Sequence, residues 1–514
     1  MKKVIYSIIV FLQIVLTFSP QMYGQDDIYT ELSNLFNEHD YSPTTISSRY
    51  TQLPNGIFSH TQILNIPTSN QAELLHKILI IIDSTLYSEL TFEINRYAYD
   101  IHYVYGCNVI MERVNFETCQ DIKNLIINNQ ANLDGCVFIG DIAPAFYEAD
   151  KDYAIPGNSS YVVWPCDMYY MDLTGTWTDS DNNNIFDLYS GDKRPEIFVG
   201  RISTSNMGNL IDEIEGMRLY LNKNHKYWIG HRKVNKRYGL TYTNKDWQFE
   251  DGFVDAISDL YGDNYYDSCR PKYYLQFGDK DYLRKLNNNR YEFVQLAAHS
   301  NFYYHCPFNS TSSNIYGDTI YNNTIKALGI NLFCCSACCW TEDSQPNYAF
   351  LGGDYVYSPN SEILCAVGCT KAGGMYQFQY FYPQLGNAKT MGQALVYWWR
   401  HKDLILNNIP KEISWNFGLT IIGDPLVNFY HCTNSTCTDE IILYSYDNNN
   451  SPLSYYLASE SITVTPQTNG SFTIPNGDHC ILNAPTVLID GEFLCPLGST
   501  LEILNEGCRD NCDE

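Results

Sequence analysis

Apolar residues in the first half of the chain form short continuous runs that alternate with amphipathic stretches. The runs at 78–82, 108–111 and 135–139 have strand length, and the stretches at 86–100 and 118–129 have helical spacing. Strands that are apolar on both faces are typical of parallel sheets covered by helices. The pattern predicts an α/β fold with a doubly wound, mostly parallel sheet flanked by helices.

The second half repeats this alternation and leads to two strands with reactive ends. A strand at 195–202 and a helix at 206–222 come first, and further strands are expected at 238–242 and 273–277. The apolar run that begins at Phe293 ends in a histidine, and the run that begins at Ile330 ends in a group of cysteines. Because the carboxyl ends of parallel strands open toward ligand, these two ends predict an imidazole beside a thiol.

A thiol needs a neighbouring base to react near neutral pH, and histidine is the usual one. We predict Cys338 and His299 as the reacting pair, since Cys338 follows two small residues and His299 ends an apolar run. Two alternatives stay open, Cys339 as the sulfur and His305 as the histidine. The pattern therefore predicts a hydrolase with a cysteine nucleophile.

Two stretches raise the question of metal binding. Asp179, Asp181, Asn183 and Asp187 space side-chain oxygens as a Ca²⁺ loop does, and the Ile185 carbonyl would be a further ligand. We expect a structural Ca²⁺ there, with a solvated turn as the alternative. A zinc site at the cysteines between 334 and 339 is less favoured, because one strand cannot aim four sulfurs at one ion.

Composition restricts the location and the class of partner. The 514 residues are 45% hydrophobic and 18% charged, with a net charge of −26, which argues against binding nucleic acid. Residues 1–24 have the basic start, short apolar core and small-residue end of a signal peptide. No later apolar run has transmembrane length, so we expect a secreted protein without a transmembrane segment.

Composition and hydrophobic pattern divide the chain into five parts. Residues 1–24 are the signal peptide, and 25–75 form an N-terminal strap or a short pro-segment. A first α/β subdomain covers 76–225, with an Asp-rich insertion at 151–195, and a catalytic α/β subdomain covers 226–430. Residues 431–514 predict a small all-β module.

Six of the 18 cysteines lie in the C-terminal module and are the better disulfide candidates, because an exported chain permits disulfides. Those within apolar strand-like runs are expected to stay free thiols. The module could attach the protein to a cell surface or simply stabilise it.

Several blocks, in order, resemble the gingipain-like family of cysteine peptidases, peptidase family C25 of the caspase-like clan. The resemblance covers roughly residues 76–430. Its blocks, besides the two strands with reactive ends, are residues 137–141, 169–177, 195–202, 366–374 and 422–425.

The resemblance implies a caspase-like α/β fold and endopeptidase activity on proteins or peptides. It assigns Cys338 as nucleophile, His299 as the acid that protonates the leaving amine, and Glu196 as the carboxylate that orients His299. Backbone N–H groups of Ser300 and Cys338 would form the oxyanion hole. The family usually has glycine where this chain has Ser300.

We therefore expect a secreted cysteine endopeptidase that needs no cofactor for catalysis. The alternatives are a catalytically inactive surface or adhesion protein with the same fold and, less favoured, a cysteine-rich metal-binding protein.

Overall fold

The computed structural model describes most of the chain between residues 40 and 507. The described ranges are 40–52, 54–66, 76–155, 160–230, 238–247, 257–261, 266–269, 277–342, 349–402, 409–429, 438–446, 453–466, 471–505 and residue 507. The predicted signal peptide therefore lies outside the described residues.

An 11-stranded sheet forms the centre of the described fold. Its strands are β1 (Ser59–Ile66), β2 (Lys77–Asp83), β3 (Asn108–Asn115), β4 (Leu133–Ile139), β9 (Phe198–Ile202), β10 (Gly239–Thr243), β11 (Tyr266–Cys269), β12 (Tyr291–Ala297), β15 (Ala327–Phe333), β16 (Cys365–Cys369) and β17 (Leu419–Gly423), with the intervening numbers given to short strands outside this sheet. Their spatial order is β1-β3-β2-β4-β9-β17-β16-β15-β12-β10-β11.

Most neighbours in this sheet are parallel. β2 pairs in parallel with β3 and β4, β4 with β9, β12 with β10 and β15, and β15 with β16. β1 and β17 pair antiparallel with β3 and β16. The two halves of the sheet meet where Arg201 of β9 pairs with Ile422 of β17. The predicted α/β fold with a mostly parallel sheet is confirmed.

Helices cover the sheet. They are α1 (Ser84–Glu89), α2 (Thr91–Asp100), α3 (Cys119–Asn128), α4 (Met168–Met171), α5 (Glu213–Trp228), α6 (Ser258–Tyr261), α7 (Asp279–Asn288), α8 (Gly317–Asn322), α9 (Leu351–Tyr357), α10 (Tyr382–Gly386), α11 (Met391–His401) and α12 (Ile409–Asn416), with a π-helix at Ile101–Tyr105 and a 3-10 helix at Phe378–Tyr380.

Local capping explains several helix ends. Thr118 and Thr390 each form a reciprocal capping box with the third residue of α3 and α11, which satisfies backbone N–H groups that have no partner inside the helix. The helix predicted at 206–222 begins later, at Glu213, because the Asp212 carboxylate accepts from two N–H groups there. The strand predicted at 273–277 falls almost entirely outside the described residues.

The remaining strands belong to short hairpins and to the C-terminal module. They are β5 (Phe146–Ala149), β6 (Val162–Pro165), β7 (Thr176–Thr178), β8 (Leu188–Ser190), β13 (Tyr304–His305), β14 (Ile315–Tyr316), β18 (Thr438–Leu443), β19 (Leu453–Val464), β20 (Phe472–Thr473), β21 (His479–Asn483), β22 (Thr486–Ile489), β23 (Phe493–Leu494) and β24 (Thr500–Leu504). The described part of the module contains strands and no helix, as predicted.

A buried ion pair supports the joint between the two halves of the sheet. The guanidinium of Arg201 donates to Asp167 at 2.8 and 3.0 Å, and Thr420 of β17 donates to the same carboxylate at 2.6 Å. Both charged side chains are nearly fully buried. A carboxylate buried in this way is stable only while its donors remain.

The strand ends that carry chemistry lie along one edge of the sheet. Asn206, which follows β9, donates to the carbonyl of Trp340 at 2.8 Å, and Trp340 lies beyond the end of β15. Arg49 of the N-terminal segment contacts Asp141, which follows β4, and the carbonyl of Ser205. Loops from both halves and the N-terminal segment therefore meet at this edge.

Removing Arg201 should destabilise the fold strongly. We expect Arg201→Met to lower the free energy of unfolding by about 3–5 kcal/mol, because Asp167 stays buried without its cation. Urea denaturation measures the change. Thr420→Val, which removes a single hydrogen bond to Asp167, should cost about 1–2 kcal/mol. An Arg201→Met loss no larger than that of Thr420→Val would contradict this assignment.

Candidate active site

The pairing of β12 with β15 decides which side chains meet at the reactive edge. Ala297 pairs with Phe333, so His299 and Cys335 stand two residues beyond a matched pair on adjacent strands. Side chains two residues apart along a strand point to the same face. Trp247 supports this placement, since its ring lies 4.4 Å from that of His299 and 5.1 Å from that of Phe333.

His299 is held between two carboxylates. Its Nδ1 lies 2.7 Å from Asp40 of the N-terminal segment, and its Nε2 lies 3.2 Å from Asp246, in the loop after β10. The imidazole is 1% exposed. Burial lowers the pKa of His299, but the hydrogen bonds and negative charges of Asp246 and Asp40 outweigh it and raise the pKa to about 9.

Cys335 shares the carboxylate of Asp40 with His299. The Cys335 side chain interacts with the Asp40 side chain and with the backbone of Gly373. Burial, and next the charge of Asp40, raise the pKa of this thiol well above its usual value. The Asp40 carboxylate thus contacts both the imidazole and the thiol that the edge brings together.

The structure does not bring Cys338 to His299. Ser336 has a φ of 55° and turns the chain back on itself. The hydrogen bonds record the reversal, since Ser336 donates to the carbonyl of Lys371 whereas Cys338 donates to that of Cys369. The Cys338 sulfur ends against Gly352 and Gly368, and it is fully buried.

Cys338 lies on the face of β15 opposite to that of His299, as the neighbours of its sulfur show. A side chain added at Gly368 would meet both Leu332 and the Cys338 sulfur, so Cys338 lies over the face of Leu332. Leu332 and Phe333 are consecutive in β15 and therefore point to opposite faces, with His299 on the side of Phe333. Sequence spacing misses this because the register of β12 against β15, which decides the position that matches His299, cannot be read from the local sequence.

The two alternatives of the sequence analysis are also buried away from His299. The Cys339 sulfur lies 3.9 Å from the Thr341 hydroxyl, and His305 contacts the Tyr355 hydroxyl at 3.1 Å. Burial lowers the pKa of His305 to about 3, which keeps it neutral. Of the residues considered, His299 and Cys335 are the pair that the fold places together.

A family comparison covers this part of the chain. The model of peptidase family C25 matches residues 79–430, which is more than half of the chain and contains both reactive strand ends. The chain belongs to this family of cysteine peptidases. No curated protein matches the chain.

Two solved structures are similar to this C25 chain at low identity. The crystal structure of the Arg-specific cysteine proteinase gingipain R has 12% identity and a TM-score of 0.44, and the match covers 71% of this chain and 80% of that one. The complex of Porphyromonas gingivalis RgpB pro- and mature domains has 12% identity and a TM-score of 0.46, with 72% and 84% covered.

Glu196 does not contact His299 in this member of the family. It precedes β9, and its carboxylate accepts from the backbone N–H of Leu173 and the hydroxyl of Thr174 at 2.6 and 2.8 Å. It shares a surface with His76 and Leu133, which lie at the starts of β2 and β4. This is the edge opposite the strand ends, so Glu196 is not placed to orient His299 in this structure.

The predicted oxyanion donors differ in their availability. The Cys338 N–H is already used, since it donates to the Cys369 carbonyl at 2.9 Å. Ser300 follows His299 directly, and its hydroxyl donates to the Cys335 carbonyl at 2.8 Å. Ser300 is not among the described residues with a positive φ, so it carries no left-handed strain where the family usually has glycine.

In the predicted Ca²⁺ loop, side-chain oxygens accept hydrogen bonds from backbone N–H groups of the same loop. Asp179 accepts from the N–H groups of Asn183 and Asn184, the side-chain amide oxygen of Asn183 accepts from the Ile185 N–H, and Asp187 accepts from the Ser180 N–H. The Asp181 carboxylate lies 3.3 Å from the Asn183 amide. Within the described ranges, no cluster of three or more His, Cys, Asp or Glu side chains is suited to a metal. The Ca²⁺ site stays a prediction.

Thirteen cysteines of the described chain are free thiols. In the C-terminal module this includes Cys480 and Cys495, so the disulfides expected there do not involve these two. The other four cysteines of the module lie outside the described residues.

The Asp40–His299 pair should make stability depend on pH. The His299 pKa is raised to about 9, so its contribution is complete below the unfolded value of about 6.5 and is lost as pH rises through about 9. We expect Asp40→Asn to lower the free energy of unfolding by about 2 kcal/mol near pH 6, and by much less near pH 10. Urea denaturation at both pH values measures this.

A matched control is available for this measurement. Asp134 forms a similar pair with His76, whose side chain is 50% exposed. Asp134→Asn should cost less than about 1 kcal/mol near pH 6 because solvent screens the pair. Equal losses for Asp40→Asn at both pH values would contradict the role of the ion pair.

Proposed function

We propose that this C25 peptidase is an endopeptidase in which Cys335 attacks the peptide carbonyl and His299 moves the proton. The proposal rests on the observation that Cys335 and His299, at the ends of two paired strands, both interact with the carboxylate of Asp40. The contacts favour Cys335 over the originally predicted Cys338, whose sulfur packs against Gly352 and Gly368.

Asp246 fits the role of orienting His299. It binds Nε2, which leaves Nδ1 on the side of Asp40 and Cys335. The backbone N–H of Asp246 donates to the side-chain oxygen of Asn244 at 3.0 Å. The backbone N–H of Asn244 in turn donates to the Ala297 carbonyl of β12, which positions this loop. Trp247 packs on the imidazole, so the ring is held by a carboxylate and an aromatic face.

The chemistry follows from these positions. In the neutral form of His299, Nδ1 accepts the proton of the Cys335 thiol, and the resulting thiolate adds to the substrate carbonyl. The imidazolium then protonates the leaving amine, and water hydrolyses the thioester to release the acid and the thiol. Of the two predicted oxyanion donors, the backbone N–H of Ser300 remains the candidate, because Ser300 follows His299 at the same edge.

Export is part of the proposal. The basic Met1 to Lys3 and the apolar run to residue 18 have the order of a signal peptide. Among the described helices, none is both long and apolar enough to cross a membrane. Attachment to a cell surface through the C-terminal module stays a prediction, and the exposed apolar side chains of the module include Ile442, Leu488 and Leu497, at 52%, 54% and 100%.

Single substitutions test the reacting pair. We expect Cys335→Ala and His299→Ala each to reduce hydrolysis of a mixed pool of unstructured peptides by about 10³-fold or more, since each removes one member of the dyad. Cys338→Ala should stay within about threefold of the parent. The assays run in reducing buffer, with the parent sequence and with Asp40→Asn as backgrounds, and product is measured by mass spectrometry.

Each alternative gives a distinct result in this assay. Loss of hydrolysis in Cys338→Ala but not in Cys335→Ala would move the nucleophile to Cys338. Hydrolysis that survives both substitutions would contradict a cysteine mechanism on β15. No cysteine-dependent hydrolysis in either background would favour the catalytically inactive alternative.

A further inference from the structure

Asp354, on α9, is a fully buried carboxyl group that the proposed mechanism does not use. Its side chain is 0% exposed. Neither of its oxygens has a hydrogen-bond partner among the residues that the structure describes. An ionised carboxylate that is buried without donors is strongly disfavoured, because it loses its hydration and gains no interaction in return. Either a proton or a bound cation must therefore neutralise Asp354.

A proton meets this requirement only in part. A protonated carboxyl group carries an O–H that itself needs an acceptor when it is buried. No acceptor among the described residues lies within hydrogen-bonding distance of either Asp354 oxygen. A cation, in contrast, binds carboxylate oxygens directly and leaves no donor without a partner. The surroundings of Asp354 therefore favour a cation.

A second carboxylate lies close to Asp354, on the neighbouring helix α8. Burial, and next the negative charge of Asp318, raise the pKa of Asp354 well above its usual value. Asp318 is only partly buried, so its carboxylate connects this region with solvent. Two neighbouring carboxylates repel each other unless a cation binds between them, and a divalent cation would cancel both charges.

The glycine beside Asp354 leaves room for its carboxylate. Gly317 begins α8, and a Cβ at this position would overlap the Oδ2 atom of Asp354. The Tyr303 carbonyl oxygen lies 3.4 Å from the same Cβ position and accepts from the Gly317 N–H at 2.8 Å. A carbonyl oxygen has two lone pairs, so that of Tyr303 can also bind a cation. Gly317 therefore keeps open a space that two candidate ligand oxygens border.

The chemistry of these oxygens indicates which cation they suit. Carboxylates and backbone carbonyls are ligands of Ca²⁺ and Mg²⁺, whereas zinc is bound mostly through nitrogen and sulfur. Mg²⁺ requires a nearly regular octahedron, while Ca²⁺ accepts about six to eight oxygens in a flexible geometry. Oxygens that come from two helices and a loop suit the flexible geometry of Ca²⁺, with water completing the coordination.

We propose that the carboxylates of Asp354 and Asp318, together with the Tyr303 carbonyl, form a Ca²⁺ site between α8 and α9. This site is separate from the Ca²⁺ loop predicted at 179–187, which lies between β7 and β8. It does not depend on the proposed peptidase function, because its binding and its effect on stability are measured without substrate.

A cation at this site would join segments that follow both reactive strands. Tyr303 belongs to the loop after β12. The start of α9 is bound to the same loop and to the loop after β15, since the Leu351 N–H donates to the Phe302 carbonyl and the Gly352 N–H to the Ala337 carbonyl, each at 2.7 Å. Ca²⁺ should therefore stabilise the folded chain against unfolding.

Calcium titration tests the site. The full chain is freed of divalent cations with EGTA and titrated with Ca²⁺ by isothermal titration calorimetry, both as the parent and as Asp181→Asn, which weakens the predicted loop. We expect a binding event that persists in Asp181→Asn, with a dissociation constant of about 10⁻⁴–10⁻³ M. In that background, Asp354→Asn and Asp318→Asn should each weaken it by about tenfold or more, because each removes a charged ligand of similar size.

Thermal unfolding provides a second measurement. Saturating Ca²⁺ should raise the Tm of the Asp181→Asn chain by about 2 °C or more, because an ion that binds only the folded chain stabilises it. Adding Asp354→Asn should abolish this rise. Glu93→Gln is the matched control, since it removes a carboxylate that pairs with Arg218 at 3.0 Å on α2, and it should leave the rise unchanged.

The partly exposed Asp318 keeps the test decisive if Asp354→Asn does not fold, because Asp318→Asn changes no fully buried group. The proposal is overturned if the Asp181→Asn chain binds no Ca²⁺, or if Asp318→Asn and Asp354→Asn bind it as tightly as that chain. A Tm that Asp354→Asn raises without Ca²⁺, with the Ca²⁺ effect unchanged, would assign a proton to Asp354 and overturn the cation site.

Discussion

The parallel pairing of β12 with β15 is the constraint on which the site depends. It matches Ala297 with Phe333 and so places His299 and Cys335 on one face, two residues beyond the last matched pair. Trp247 fills the same face and packs on both His299 and Phe333. A shift of one residue in this register would turn one of the two reactive side chains to the opposite face.

The rest of the edge is organised around that pair. Asp246 reaches His299 from the loop after β10, and Gly373 reaches Cys335 from the loop after β16. The N-terminal segment adds Asp40, and its Ser42 hydroxyl hydrogen-bonds to Asp152, which pairs with the buried Lys371. Loops from four strands converge here because these strands are parallel and end at one edge.

The surroundings of the site raise the pKa of both reactive groups, so both favour their protonated forms. Asp40 and Asp246 favour the protonated form of His299, while burial and Asp40 favour the neutral thiol of Cys335. An imidazolium beside an un-ionised thiol is a resting arrangement, since attack needs a thiolate. Removing one carboxylate, that of Asp40, changes both groups in the direction that attack requires.

The sequence by itself determined the fold class, the strand that ends in His299 and the family. Continuous apolar runs can be satisfied only by strands buried on both faces, so the parallel sheet follows from local pattern. Only the tertiary structure decided which cysteine lies on the face of His299, because the register between β12 and β15 is set by long-range pairing. It also brought Asp246 and Asp40, the latter from 259 residues away, into contact with His299, since long-range contacts have no local signature.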